Sequence, residues 1–191
     1  MDGFDLEPVL QLLLQANRLK VTPRSGWVAR GLNDVESVAD HTFDVAFIAL
    51  VLSEFIDEPV DREKVLTIAL IHDLPESAIG DIPSPAMRYF PPGAKRHAEQ
   101  TAMAEILEGF EFGPRLQRWW KEFEDRSSVE GRLVRDADRI GLFLQALVYE
   151  RTSANQYLDE FWEFHADKVF EFSISQKLYD RLKEGRDTKA R

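Results

Sequence analysis

The 191-residue chain contains no cysteine. Disulfides, thiolate zinc sites and cysteine nucleophiles are therefore excluded, and any metal must be held by His, Asp or Glu. Histidine is scarce, with four in the chain. No apolar run approaches the ~20 residues that cross a bilayer. The stretch MDGFDLEPVLQLLLQANRLK lacks the basic n-region and small-residue cleavage site of a secretory signal. These absences lead us to expect a cytoplasmic protein with no membrane partner. Positive charge is in deficit: 24 Lys and Arg stand against 34 Asp and Glu, a formal net charge of −10. That balance argues against binding to a nucleic-acid polymer. Small anions stay open, because they respond to local fields. The patterns G-x-x-x-x-G-K-[ST], G-x-G-x-x-G and G-x-S-x-G are missing too, so nothing suggests a P-loop, a dinucleotide fingerprint or a nucleophile elbow.

What is present is an ordinary globular composition, 44% hydrophobic and 30% charged, in a chain of single-domain length. The pattern reads as helix after helix. Leu6, Val9, Leu10, Leu13 and Leu14 recur at helical spacing and predict a helix over 6–19 with one buried face. Pro23, Ser25 and Gly26 interrupt, so 21–33 reads as an ordered loop around Trp27. Ser37 is a candidate cap for a helix with apolar residues at Phe43, Ala46, Phe47, Leu50, Val51 and Phe55. Asp61 is a candidate cap for the next, whose Val65, Leu66, Ile68, Ala69 and Ile71 predict burial on most sides. The segment GDIPSPAMRYFPPG is proline-rich and reads as a loop. Helices follow over 94–107 and 113–123. A long one is opened by Ser127 or Ser128, and one or two aromatic-rich helices lie over 154–182, before a polar, fraying tail over 184–191. The expectation is an all-α protein: a compact bundle of about seven to nine helices.

The informative segment is Ile71-His72-Asp73-Leu74-Pro75-Glu76. An imidazole and a carboxylate sit together at the end of an apolar helix, where an ionised carboxylate is costly unless paired or bound to a metal. His41 lies in SVADHTFD beside inward-packing positions. Asp138 lies in VRDADRIGLF with apolar Val134 and Leu142 one turn away on either side. A lone histidine on such a helix is more often a packed core residue than a ligand. Here three helices each bring a donor from the core side. Two His and two Asp suit Zn, Mn, Fe, Co or Ni. Four protein ligands leave room for water only on a five- or six-coordinate ion.

The residues H…HD…D, with the flanking GWVARGLNDVESVADH, ALIHDLPESAIGDIPSP and VRDAD, resemble the HD-domain metal-dependent phosphohydrolases, and among them the YfbR-like 5′-deoxynucleotidases. The resemblance runs over about residues 19–150. It implies a single HD domain over 1–191, with the helices over 151–185 packing on that core or forming an interface. It implies one divalent cation held by His41, His72, Asp73 and Asp138, and hydrolysis of (deoxy)nucleoside 5′-monophosphates to nucleoside and phosphate. Glu76 matches the acid of the HDxxE pattern and Asp81 that of the following GD pair. One would activate water and the other would handle the proton on the leaving alkoxide. Glu76 is the favoured water partner, with Asp81 on the substrate side. Trp27, Ser84, Pro85 and Arg88 match the substrate contacts. Where bacterial relatives carry a phosphate-orienting arginine, this chain has Gly26, and Arg24 or Arg30 could supply the charge. The resemblance also implies a homodimer.

Competing readings remain at this stage. Trp27 suits a nucleoside face or a loop anchored in the core. An HD-domain phosphodiesterase or pyrophosphatase would use the same ligands on a different nucleotide. A non-catalytic protein pinned by its metal would leave Glu76 and Asp81 idle. His97 and His165 read as surface or packing residues. Asp136 is offset from Asp138 by about 200° at ~100° per residue, so both cannot face one ion. Trp119, Trp120 and the Phe161-Trp162-Phe164 group read as core or interface.

Overall fold

Local capping chemistry decides where the longest helices begin. Ser37 accepts a hydrogen bond from the Asp40 N–H while the Asp40 carboxylate accepts from the Ser37 N–H, a capping box. Asp61 accepts from Lys64 N–H, and Ser128 from Gly131 N–H. In the computed structural model, residues 5–153, 155–165 and 169–187 are described, the side chains of His165 and Asp187 excepted. Within them the helices are α1 Glu7–Asn17, α2 Ser25–Val28, α3 Val38–Leu52, α4 Arg62–Ile71 and α5 Glu76–Ile79. They continue as α6 Ala94–Ile106, α7 Gly113–Asp125, α8 Val129–Thr152, α9 Tyr157–His165 and α10 Ser173–Asp187. The count exceeds the expected seven to nine because α2 and α5 are single turns that sequence periodicity does not resolve. The region 21–33 is thus not loop throughout. No strand occurs among the described residues, where an isolated antiparallel bridge joins Pro23 to Ser37. Among the described residues no helix is long and apolar enough to cross a membrane.

α3, α4, α7 and α8 pack around Val45, Ala49, Leu52, Ile68, Phe123, Leu133 and Ala137. Close packing of α7 on α8 depends on Gly131, where a Cβ would stand 2.6 Å from the Glu122 carbonyl oxygen. The C-terminal helices close over α8 through aromatic rings: Phe143, Phe161, Trp162, Phe170 and Tyr179 form one cluster with Trp27. The His165 side chain and the tail beyond 187 lie outside the described residues.

Two expectations about faces are corrected. On α1, Leu6, Leu10, Leu13 and Leu14 are exposed, and Leu12 and Ala16 pack inward with Leu19. On α3 the buried face is Val38, His41, Thr42, Val45, Ala49 and Leu52, whereas Phe43 is 68% and Phe47 58% exposed. Both helices carry apolar side chains on more than one face. Periodicity therefore fixes the helix but not the side that turns inward.

Candidate metal centre and cleft

His41 stands one turn into α3 on its buried face, and His72 follows the last residue of α4. The His72 Nδ1–H donates to the Ala69 carbonyl at 2.7 Å. That bond fixes the tautomer and leaves the Nε2 lone pair facing His41 Nε2 at 3.4 Å. The His72 carbonyl accepts from Trp120 Nε1 at 3.0 Å, so the core pins this junction. Asp73 Oδ2 lies 3.3 Å from His72 Nε2 and 3.7 Å from His41 Nε2. Asp138, from α8, places Oδ1 3.2 Å from His41 Nε2.

Donor atoms of His41, His72 and Asp73 all lie within 4.8 Å of one another, and Asp138 joins them through His41. Bonds of ~2.0–2.2 Å to a divalent ion put neighbouring donors roughly 3–3.5 Å apart. The observed spacings match, and the N/O donor set is chemically apt. These residues fit a divalent cation.

Within the cluster, neighbouring charges outweigh burial. Burial pushes Asp138 toward its neutral form, but a hydrogen bond and charge from His41, with His72 and Arg135, outweigh it and hold the carboxyl well below its ordinary value. Asp73 is likewise held low: burial opposes, and His72, Arg24 and His41 prevail. Burial works against charge on His72 too, yet Asp73 overrides it and raises the imidazole. Glu76 behaves in the opposite way. Burial, reinforced by Asp73 and Asp81, pushes it up to about 10. It is 2% exposed, its Oε2 is buried with no hydrogen-bond partner among the described residues, and Lys95 Nζ lies 3.7 Å from its Oε1. Pro75 does not carry it away: backbone bonds from Glu76 to Asp73 and from Ser77 to Leu74 keep the chain turning through the proline.

The cleft over this cluster has a volume of about 510 Å³, within the ~300–1,000 Å³ usual for small-molecule sites. It brings Trp27, Arg30, Asp81, Ser84 and Pro85 together with His72, Asp73, Glu76 and Asp138. Trp27 borders it but is 2% exposed, donating Nε1–H to Glu36 and packing edge-on to Tyr149. The core-anchor reading describes this placement. Arg30 donates to the Gly26 carbonyl and lies over the Phe161 ring. Asp81 Oδ2 accepts from both Ser25 N–H and Ser25 Oγ, so this carboxylate also fastens α2.

Arg88 is the exception. Residues Ser84–Tyr89 form a 3₁₀ turn. Ser84, Pro85 and Met87 line the cleft, while Arg88 is exposed and stacks on Tyr89. His97 is on the surface, and Asp136 faces away from the cluster as its helical offset requires.

Three contributors escaped sequence reasoning or were left open by it. Arg24 Nη1 meets Asp73 Oδ2 at 3.2 Å. Burial opposes its charge, but Asp73, Asp81, Glu76 and Asp138 raise its hold on the proton. Glu36 lies near the Arg24 guanidinium while accepting from Trp27. Lys95 reaches Glu76 and Glu99. Glu36 stands within VESVADH and was the one with a local signal; Lys95, in AKRHAEQ, had none.

Comparison with known proteins follows the same lines. The family model described as HD domain matches residues 16–176. The 5′-deoxynucleotidase HDDC2 of Homo sapiens is 32% identical and covers 97% of this chain and 90% of its own length. The 5′-deoxynucleotidase YGK1 of Saccharomyces cerevisiae is 29% identical, over 87% of this chain and 82% of its own. Among solved structures, a conserved hypothetical protein from Pyrococcus furiosus superposes with a TM-score of 0.78 at 36% identity, covering 93% of this chain and 99% of that one.

Proposed function

Since this chain belongs to the HD domain family, we propose that it is a phosphohydrolase that converts (deoxy)nucleoside 5′-monophosphates to nucleoside and phosphate with one divalent cation. The observation that carries this reading is the meeting of nitrogen and oxygen donors from three helices at 3.2–3.7 Å, with the buried, unpaired Oε2 of Glu76 beside them. The name 5′-deoxynucleotidase, printed for relatives in animals and yeast, supports the substrate class.

His41, His72, Asp73 and Asp138 would hold the cation; this N/O donor set suits Mn, Co, Zn, Fe and Ni. Such an ion neutralises phosphate charge and makes water a better nucleophile near neutral pH. The chain's own residues do the rest. Arg24, beside Asp73, supplies the phosphate-orienting charge for which Gly26 has no side chain. A cation bound beside Glu76 would offset the Asp73 and Asp81 charges that keep its carboxyl neutral, and the ionised Glu76 would then take the proton of the attacking water on Oε2, which has no hydrogen-bond partner among the described residues. Asp81, across the same cleft, handles the proton on the leaving 5′ oxygen while steadying α2 through Ser25. Arg30, Ser84 and Pro85 border the space for the sugar, and Trp27 backs that wall from the core. The working assembly is a homodimer, a reading supported by the exposed leucines of α1 and phenylalanines of α3. Sedimentation of the purified protein tests that part.

Activity is tested with metal-loaded protein on dAMP and AMP. Phosphate release is expected, and Asp73→Ala should abolish it. If that variant does not fold, Glu76→Gln, which keeps shape and removes the proton acceptor, should lower turnover ~10²–10⁴-fold. Full activity in a folded Glu76→Gln protein sinks the assignment of roles. No phosphate release by the wild type on any monophosphate sinks the reading itself.

A further inference from the structure

The cleft continues past the histidine–carboxylate cluster. At its Asp138 end the wall is built from Arg126, which follows the last residue of α7, and from Arg135 and Arg139 on α8. None of the three has been given a task above. Arg135 approaches Asp138 at 3.7 Å and Glu124 at 4.0 Å, both long contacts, and its guanidinium lies over the Phe123 ring. Its Nε is buried and, among the described residues, has no hydrogen-bond acceptor. Arg139 gives one N–H to the Val169 carbonyl. Arg126 meets Glu171 at 3.7 Å and holds a left-handed backbone, φ +52°, which disfavours residues with a Cβ.

Guanidinium groups crowded into one wall repel each other. A buried N–H without an acceptor is a further cost. With Asp138 committed to a cation, two carboxylates, Glu124 and Glu171, face three arginines in the pairs described. An anion in the cleft offsets that repulsion, and arginine forks suit the oxygens of a phosphate. A phosphate engaged at the Asp73 end already has Arg24 beside it. A second group is therefore needed to account for the arginines at the Asp138 end.

We propose that Arg126, Arg135 and Arg139 form a second anion subsite in this cleft, which takes a second phosphoryl group carried by the nucleotide. The proposal rests on the nucleotide reading above, and the shared chemistry covers a β-phosphate and a 3′-phosphate. The test measures equilibrium binding of dAMP, dADP and deoxyadenosine 3′,5′-bisphosphate to the metal-loaded full chain, in the Glu76→Gln background to suppress turnover. At least one two-phosphate ligand should bind about tenfold more tightly than dAMP, and which one does so identifies the source of the second group. Arg126→Asn with Arg139→Gln should remove that advantage to within about twofold and leave dAMP binding unchanged. Asn tolerates the left-handed backbone at 126, and Gln keeps a donor for the Val169 carbonyl, so the double variant is built to fold. Equal affinity for all three ligands in the parent overturns the subsite. So does an equal weakening of all three in the double variant, which would place these arginines on the first phosphate. Turnover of dAMP by the wild type is measured separately, so a failed deoxynucleotidase reading is told apart from a failed subsite.

Discussion

Asp136 and Asp138 sit two residues apart on α8 and are both shielded by the fold, but one faces the C-terminal segment and the other the cleft. Asp136 is 0% exposed and accepts hydrogen bonds from the backbone N–H groups of Glu171 and Phe172 at 3.0 Å. Burial raises its proton affinity above the ordinary value, although those N–H groups pull the other way. Asp138 instead meets His41 and Arg135 side chains, and its proton affinity is driven down. The partners tell the roles apart. Fixed backbone donors satisfy a carboxylate that holds the chain together. Titratable side chains surround one that is ready to exchange a partner for a cation or substrate. The same division separates the aromatic C-terminal half, packed around Phe143 and Tyr179, from the charged half around the cleft.

The most severe way to break this comparison is to remove each carboxylate in turn. Asp138→Ala should lower dAMP turnover more than ~10³-fold, because cation binding and its several kcal/mol of charge stabilisation go together. Its unfolding midpoint in chelator should barely fall. Asp136→Ala should do the reverse: it strands two backbone donors and should cost about 3 kcal/mol in urea denaturation. Specific activity below the transition should be retained. If both substitutions damage stability and turnover equally, the division between the two halves is wrong.

A smaller effect comes from pH. In the folded, chelated protein Glu76 holds its proton up to about 10, whereas the unfolded chain releases it near the ordinary carboxylate value. Stability from this group is therefore full below about 4.5 and is lost as pH rises toward about 10. Glu76→Gln has no proton to lose, so it should flatten the decline. Between pH 5 and 9 the wild type should lose stability relative to the variant by up to ~1.4 kcal/mol per pH unit. Parallel curves would show that Glu76 is not held neutral by the fold.

The sequence carried the all-α class and the helix starts at Ser37, Asp61 and Ser128, because capping is local chemistry. It also carried the His41, His72, Asp73 and Asp138 cluster, since an imidazole or carboxylate on an apolar helix face stands out. It could not say which side of α1 or α3 turns inward, because each has apolar residues to spare. Nor could it separate Met87 from Arg88, which lie in a proline-rich turn with no apolar periodicity to read. Arg24 was one of two candidates for the missing charge, and only the meeting with Asp73, 49 residues away, singles it out.

The finest test uses a bond by which the packed interior braces a residue of the cluster. Trp120 is buried in the cluster with Leu107 and Met103, and its Nε1–H is held by the His72 carbonyl. Trp120→Phe keeps an aromatic ring there and removes that donor. The His72 carbonyl is then left without this bond, so stability should fall by about 1 kcal/mol. A purely packing residue would stop there. If Trp120 also aims His72, cation affinity should weaken beyond what stability explains, by up to ~10-fold, as for outer partners of metal ligands. Titration of a divalent cation into the chelated, folded variant reads this directly. Unchanged affinity with lowered stability would confine Trp120 to the core; weakened affinity would make the packing around Trp120 part of the site.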